Sequence, residues 1–283
     1  MFSKEKIKEI VTISLIADSY SLGAHWVYDE EQLKNLDIDW EKLNAPQAMW
    51  HKGKSAGDFT HIGDQAYWLY QFLQDKETFY PLEYLTFWKE KMSDYEGYID
   101  GATRETLENI DNGKLSGSNS DDFSVIGRMF SLLLVSKTEE DFLKNVKKFI
   151  KLSHDNEKVI EVALFFAKLL LHVKDSKNIE MSMRTLSEHF SEYVKQSVKE
   201  GIDSKDKDSF TTIRNFGPAC GIDEGFRGII HLLVKYPDDL KELLMQNAKA
   251  GGDSSSRSMI ASSILTAIKT QESLPKDWYK INL

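Results

Sequence analysis

The chain has 283 residues, 41% of them hydrophobic, so it can bury a large core. Its formal charge is −9, from 36 basic and 45 acidic residues, and its longest basic run is the Lys147-Lys148 pair. This excess of acidic residues excludes a nucleic-acid binder that relies on a basic surface. An anionic substrate would have to be held locally by backbone amides, helix N-termini or a cation. Cys220 is the single cysteine, which excludes an intrachain disulfide and predicts a reducing compartment, most simply the cytoplasm.

The first predicted helix carries Ile7, Val11 and Asp18 on one face. The apolar stretch Ile10 to Ala17 has the size of a signal-peptide core, but Asp18 interrupts it and no cleavage pattern follows, so we interpret it as a folded helix. Asp18 is then either a partly exposed residue at the helix end or a buried carboxylate that needs a partner.

A polar stretch from His51 to Gly63 follows, with two histidines, two lysines and three glycines. Such a loop could hold phosphate or a metal ion. Two histidines ten residues apart lack the ligand spacing of a zinc motif, which disfavours zinc. Asp64 begins the next predicted helix, and by itself it is best interpreted as the N-cap of that helix.

The three- and four-residue periodicity continues along most of the chain, and no sustained alternating pattern occurs, which predicts an all-α fold. No fixed-period repeat or low-complexity linker divides the sequence, so we expect a single domain over 1–283. No apolar stretch is long enough to span a bilayer, so we expect no membrane association. The further predicted helices are Asp64–Gln74, Pro81–Asp94, Asp100–Ile110, Asp121–Val135, Glu139–Leu152, Glu157–Val173, Ile179–Lys199, Gly225–Lys235, Asp238–Lys249 and Ser254–Lys269.

Several polar and aromatic residues between these helices have both a functional and a structural interpretation. A Gly/Ser turn runs into Asn119, Ser120, Asp121 and Asp122, where helix capping is a sufficient explanation. His154 is interpreted as an ordinary loop histidine, and Cys220 as an inert thiol. A group of aromatic residues would suit a pocket for a flat ring, although aromatics at helical spacing usually belong to the core: Trp26, Trp50, Tyr67, Trp68, Trp88 and Tyr95.

Near the C-terminus, Gly251 and Gly252 precede Asp253, three serines and Arg257. Paired glycines followed by a carboxylate and hydroxyls form a helix start that can offer oxygens to a cation or amides to a phosphate. The alternative is a capped helix after a Gly-Gly turn. The small residues that follow predict close packing of this helix.

Together, these segments resemble the ADP-ribosylglycohydrolase family over nearly the whole chain, especially its branch that includes the J-type lens crystallins. Residues 17–24 are similar to the family's Gly-Asp-Ala-x-Gly segment, and residues 25–29 to the crystallin-like branch. Residues 62–65 fall where the family has Thr-Asp-Asp-Thr, residues 116–121 at its Gly/Asn-rich substrate loop, and residues 153–154 at its Thr-His pair. The most specific match is the end, where the stretches 216–220, 231–236 and 247–256 lead to Asp-Ser-Ser-Ser in place of the family's Asp-Thr-Asp-Thr.

The resemblance implies a compact orthogonal multi-helix bundle with two Mg²⁺ ions between its acidic motifs, and removal of ADP-ribose from proteins or small acceptors. Asp64 and Asp253 are implied as catalytic residues and metal ligands, with Ser255 and Ser256 as weaker ligands. Two of the family's carboxylates are missing, so the Mg²⁺ centre is reduced to one or two ions, or lost. The residues implied to contact substrate are Asp18, His25, Gly117, Ser118, Asn119, Ser120, Asp121, His154 and Arg257.

We therefore expect a hydrolase that cleaves an N- or O-glycosidic bond of ADP-ribosylated proteins or small molecules, assisted by a metal. The alternatives are a non-catalytic relative that binds a nucleotide or ADP-ribose, a crystallin-like structural protein, and a hydrolase for another glycosidic or amide substrate on the same fold. Arg257 is expected to replace a cation, either by pairing with Asp253 or by meeting a phosphate. The sequence points to no particular oligomeric state.

Overall fold

The computed structural model describes residues 1–269 and 274–283, and the regular structure of these residues is almost entirely helical. Short 3-10 helices occupy Met49–His51, Met129–Val135 and Lys276–Tyr279, and isolated bridges join Ser118 to His154 and Asp122 to Gly221. The predicted all-α class is confirmed. Within the described ranges, no helix combines the length and the apolar composition needed to cross a bilayer. The α-helices are α1 (Lys4–Ser21), α2 (Glu30–Lys34), α3 (His61–Leu73), α4 (Pro81–Ser93), α5 (Gly101–Asp111), α6 (Ser124–Arg128), α7 (Glu139–Ser153), α8 (Glu157–Ser176), α9 (Ile179–Ser187), α10 (Glu192–Asp203), α11 (Ser209–Phe216), α12 (Ile222–Lys235), α13 (Leu240–Lys249) and α14 (Ser254–Ile268).

Helix α14 lies at the centre of the bundle, against α1, α6, α8, α12 and α13, and every residue from Ser254 to Ala267 is buried. Its many serines and alanines let the neighbouring backbones approach closely, as the sequence predicts. The Ser258 hydroxyl donates to the carbonyl of Ala17 at 3.1 Å and lies 2.9 Å from the hydroxyl of Ser21. These buried contacts hold the C-terminal end of α1 beside the N-terminal end of α14, which is where the functional residues meet.

The predicted helices differ from the structure at several places. Helix α3 begins at His61, because the Thr60 side chain accepts hydrogen bonds from the amides of the first turn. The N-cap interpretation of Asp64 is therefore wrong, and Asp64 lies inside the helix. The predicted helix Ile179–Lys199 is two helices, since Ser191 caps a new one at Glu192. Helix α11 was not predicted from the periodicity.

Candidate functional site

Asp18 joins three parts of the chain at the end of α1. Its Oδ2 accepts a hydrogen bond from the Thr60 amide at 2.8 Å, and its Oδ1 accepts bonds from the hydroxyls of Thr60, at 2.6 Å, and Ser255. The carboxylate is completely buried, and burial raises its pKa to about 6 although these hydrogen bonds oppose the shift. Asp18 is therefore the buried, partnered carboxylate of the two alternatives that the sequence leaves open.

Asp253 caps α14 from a turn in which Gly251 and Gly252 both have a positive φ. Its Oδ1 accepts a hydrogen bond from the Ser256 amide at 3.2 Å and lies 3.7 Å from Nδ1 of His25. Burial raises the pKa of Asp253, and the charge of Arg257 opposes this shift. Within the described residues, the buried Asp253 Oδ2 and the hydroxyls of Ser254 and Ser256 have no hydrogen-bond partner.

The Arg257 guanidinium is completely buried and points neither at solvent nor into a direct bond with Asp253. It donates to the Asn247 side chain at 2.7 Å and to the carbonyls of Pro218, at 3.1 Å, and Gly251, at 2.6 Å. These three bonds fix the turn before α14 to the loop after α11. The guanidinium influences Asp253 through its charge rather than by contact.

Asp64 lies one turn into α3. Its Oδ2 accepts hydrogen bonds from Lys54 Nζ and from the Tyr95 hydroxyl, both at 2.5 Å. Burial raises the pKa of Asp64, while Lys54 and Tyr95 favour the ionised form. No hydrogen bond or ion pair joins Asp64 to Asp253 in the described part of the chain. Asp18 and Thr60, rather than Asp64, connect α3 to the acidic start of α14.

Asp64 lines a cleft of about 660 Å³, a size typical of small-molecule sites. Three segments of the chain supply its walls: the 3-10 turn with the loop after it, α3, and the segment between α4 and α5. Trp50, Trp68 and Tyr95 belong to it, whereas Trp88 belongs to the core. The lining residues are Met49, Trp50, His51, Lys52, Gly53, Lys54, Asp64, Trp68, Asp94, Tyr95, Glu96, Gly97 and Tyr98.

Next to this cleft lies a histidine cluster formed by His25, His51 and His61, all buried. One nitrogen from each ring lies within 4.8 Å of the other two, and His51 Nε2 is 3.2 Å from His61 Nδ1. Burial lowers the pKa of His51 to about 3 and of His61 to about 4, so both rings are neutral at pH 7. The sequence implied a substrate contact for His25, allowed a phosphate or a metal ion at the loop that carries His51 and His61, and disfavoured zinc there.

Trp26 supports this cluster from an unusual backbone conformation. Its φ is 62°, a left-handed conformation that costs an aromatic residue about 1–2 kcal/mol. Its amide donates to the carbonyl of Gly252 at 2.8 Å, and its ring stacks on His25 with centroids 5.1 Å apart. The ring also lies 4.8 Å from His61 and 4.9 Å from Tyr98. Aromatic packing therefore links the histidine cluster to the wall of the cleft.

The predicted substrate loop lies on another side of the same buried region. Gly117 and Ser118 run beside the end of α7, and the Ser118 amide donates to the Ser153 carbonyl at 3.0 Å. His154 is buried there, with Nδ1 2.9 Å from the Ser153 hydroxyl. Asn119 and Asp121 are exposed, and Ser120 is partly buried. The loop and His154 therefore lie together, but they share no hydrogen bond with Asp64 or Asp253 among the described residues.

Asp122 is an acidic residue of the site that the sequence analysis explained by helix capping and did not include among the substrate contacts. Its Oδ1 accepts a hydrogen bond from the Ser124 amide at 2.7 Å. Burial and the negative charges of Asp253 and Asp100 raise its pKa to about 7. Asp121 precedes it in the chain but faces solvent. An acidic pair before a helix was visible in the sequence, whereas which of its members points inward depends on the bridge between Asp122 and Gly221.

The residues present do not fit the two Mg²⁺ ions that the family resemblance implies. Mg²⁺ needs several oxygen ligands, mostly carboxylate or water, in nearly octahedral geometry. Both oxygens of Asp18 are hydrogen-bonded, and Lys54 already neutralises Asp64. Asp253 Oδ2 is the one carboxylate oxygen among these three residues that is buried without a partner. A single such oxygen does not offset two divalent charges, so we derive no reaction step through magnesium.

Comparison with known proteins gives a consistent picture. The family model described as ADP-ribosylglycohydrolase matches residues 3–281. Crystallin J1A of Tripedalia cystophora is 21% identical over 298 residues, covering 98% of this chain and 91% of that protein, and Crystallin J1B is 22% identical over 302 residues, covering 97% and 91%. A solved structure described as an ADP-ribosylglycohydrolase-related protein complex aligns with a TM-score of 0.69 and 15% identity, covering 98% of this chain and 92% of that one. The resemblance drawn from the motifs is confirmed, and the fold is shared.

Proposed function

Because this chain belongs to the ADP-ribosylglycohydrolase family, we propose that it binds ADP-ribose conjugates in the cleft and hydrolyses their glycosidic bond. The observation that carries the proposal is the Asp64 carboxylate, which lines a cleft with aromatic walls and is held there by Lys54 and Tyr95. A fixed carboxylate beside a pocket for a flat, phosphorylated ligand is the chemistry that glycosidic hydrolysis needs.

The lining of the cleft suits the parts of an ADP-ribosyl group. Trp50 and Tyr98 meet edge to face, with centroids 5.6 Å apart, and offer ring surface for an adenine base. Lys52 supplies positive charge for a diphosphate, which the chain's overall charge of −9 would otherwise repel. The cleft volume of about 660 Å³ is sufficient for a ligand of this size.

In the proposed reaction, Asp64 accepts a proton from a water molecule as that water attacks the ribosyl C1 carbon. The bond from C1 to the acceptor nitrogen or oxygen breaks, the acceptor takes up a proton from solvent, Asp64 returns its proton to solvent, and free ADP-ribose leaves. The carboxylate also stabilises the positive charge that develops on the ribosyl ring. Lys54 and Tyr95 hold Asp64 in position and favour its ionised form, which opposes the rise in pKa that burial causes.

The test is release of ADP-ribose from conjugates linked through arginine, through serine and through small acceptors, measured with and without added magnesium. Asp64→Asn should lower the rate by about 100-fold or more, because general-base assistance is worth about 10²–10⁴. Asp94→Asn is the matched control, since Asp94 lines the same cleft but is exposed, and it should stay within about twofold. No release from any conjugate, or equal rates for the two variants, would contradict hydrolysis at Asp64.

A second candidate is a protein that binds ADP-ribose without cleaving it. The observation that favours it is that Lys54 and Tyr95 both occupy Oδ2 of Asp64, which leaves only Oδ1 to activate water. Calorimetric titration with ADP-ribose separates the two functions. Binding that Trp50→Ala weakens, together with no turnover of any conjugate, would assign the chain to this class.

A further inference from the structure

We propose that the histidine cluster of His25, His51 and His61 binds one divalent transition-metal ion of the zinc class, at a place where the family resemblance predicts only magnesium. The three rings come from three separate parts of the chain: the turn after α1, the 3-10 turn and the first residue of α3. They converge although no spacing in the sequence marks them as a motif. The proposal concerns metal binding and stands independently of the proposed hydrolysis.

The distances suit a tetrahedral ion with imidazole ligands. Zn–N bonds of about 2.0–2.1 Å place neighbouring ligand nitrogens about 3.3 Å apart. His51 Nε2 and His61 Nδ1 are already 3.2 Å apart, and one nitrogen from each of the three rings lies within 4.8 Å of the other two. A shift of the His25 ring by up to about 1.5 Å closes the remaining distance, a movement on the order of a bond length.

Carboxylates behind two of the rings match the outer shell of a histidine metal site. Oδ2 of Asp100 lies 3.5 Å from His61 Nε2, the nitrogen that faces away from His51. Oδ1 of Asp253 lies 3.7 Å from His25 Nδ1. In metal sites, the non-ligating nitrogen commonly donates to such a carboxylate, which orients the ring and strengthens the ligand. Packing of the three rings does not itself require carboxylates beside them, so these two carboxylates support a metal site.

An unpartnered nitrogen in the cluster is the second indication of a ligand. His25 Nε2 is buried and has no hydrogen-bond partner among the described residues, although buried polar atoms normally have one. The Ser255 amide donates to His25 Nδ1 at 3.2 Å, so the neutral ring carries its proton on the unpartnered Nε2. Metal binding at Nε2 requires the other tautomer, in which Nδ1 gives up the bond from the Ser255 amide and donates instead to the Asp253 carboxylate, whose Oδ1 is 3.7 Å away.

The donor set also decides which ion is bound. Three neutral imidazoles suit zinc and other late first-row metals, whereas magnesium and calcium prefer oxygen. Three protein ligands leave a fourth position for water, as in many zinc enzymes. His51 lines the cleft as well as the cluster, so this position is next to the proposed substrate site.

The experiment uses the full-length chain after removal of metal, titrated with Co²⁺ and then with Zn²⁺ against a chromophoric chelator. We expect one equivalent per chain, the intense visible spectrum of tetrahedral cobalt, and its loss when zinc displaces cobalt. Mg²⁺ in excess should not compete. Binding of less than about 0.1 equivalent, or an octahedral cobalt spectrum, would overturn the proposal.

Variants then place the ion. The double substitution His51→Asn and His61→Asn should weaken zinc binding by more than about 100-fold, since loss of an outer-shell partner alone costs about 10–100-fold. His189→Asn, at an exposed histidine outside the cluster, is the control and should bind as the wild type does. If the double variant does not fold, His51→Asn alone serves, because its ring also faces the cleft. Unchanged affinity in a folded variant would overturn the assignment.

Discussion

The buried carboxylate of Asp18 should give the protein a pH-dependent stability that the variant Asp18→Asn lacks. The pKa of this group is raised from 3.8 to about 6. Because one pH unit of pKa difference corresponds to about 1.4 kcal/mol, ionised Asp18 destabilises the folded state by about 3 kcal/mol relative to its protonated form. The contribution of protonated Asp18 is fully present below the unfolded pKa of 3.8 and is lost as the pH rises through 6.

Between pH 5 and pH 7 the expected loss is about 1 kcal/mol. An asparagine at this position keeps one acceptor oxygen but faces the Thr60 amide with its own NH₂ group, which costs about 1–3 kcal/mol at every pH. The two effects can therefore be distinguished. The amide mismatch lowers the unfolding free energy equally at every pH, whereas loss of the carboxylate changes how the unfolding free energy depends on pH.

The assay is urea unfolding of the wild type and of Asp18→Asn at several pH values from 5 to 7, followed by tryptophan fluorescence. The difference in unfolding free energy, wild type minus variant, should fall by about 1 kcal/mol over this range. Asp94→Asn, which removes an exposed carboxylate, controls for the change in net charge. A constant difference would mean that the hydrogen bonds to Asp18 outweigh its burial, and that our account of its environment is wrong.

Three further substitutions test other parts of the structure. Trp50→Ala should weaken ADP-ribose binding about tenfold in calorimetry, because ring stacking on a base is worth about 1–3 kcal/mol; an unchanged affinity would place the base elsewhere. Arg257→Met should lower the unfolding free energy by about 3 kcal/mol, since it leaves three oxygen acceptors buried without their donor; a loss below about 1 kcal/mol would contradict this. Gly63→Ala should lower the unfolding free energy by about 3 kcal/mol or prevent folding, because a Cβ there would overlap the Asp18 carboxylate. Gly101→Ala is the control: its Cβ would enter open space, so the same denaturation assay should show little change.

The sequence predicts the helical class and the acidic start of α14, because both depend on local patterns. The small residues of α14 and the Gly-Gly turn before Asp253 sufficed to place a helix start there. The start of α3 could also have been predicted from the sequence. Its apolar stripe begins at Ile62 and continues through Ala66 and Leu69, which requires a cap before residue 62 and points to Thr60.

The histidine cluster and the cleft could not be predicted from local sequence patterns, because both depend on where distant segments of the chain meet. His25 and His51 are brought together by the turn after α1 and by the long irregular segment that follows α2. The contact between Asp18 and Thr60 spans 42 positions, and that between Asp18 and Ser255 spans 237. The inward orientation of Asp122 rather than Asp121 likewise depends on backbone pairing that no single segment encodes.

The short hydrogen bond from Ser255 to Asp18 makes the two positions epistatic. An aspartate at 255, the residue that the family pattern has there, would bring a second carboxylate into direct contact with the first, and both could not be ionised together without a cation between them. Serine at 255 therefore lets the Asp18 carboxylate stay buried without a cation beside it, and Ser255→Asp would be tolerated only together with a bound cation or a neutral residue at position 18.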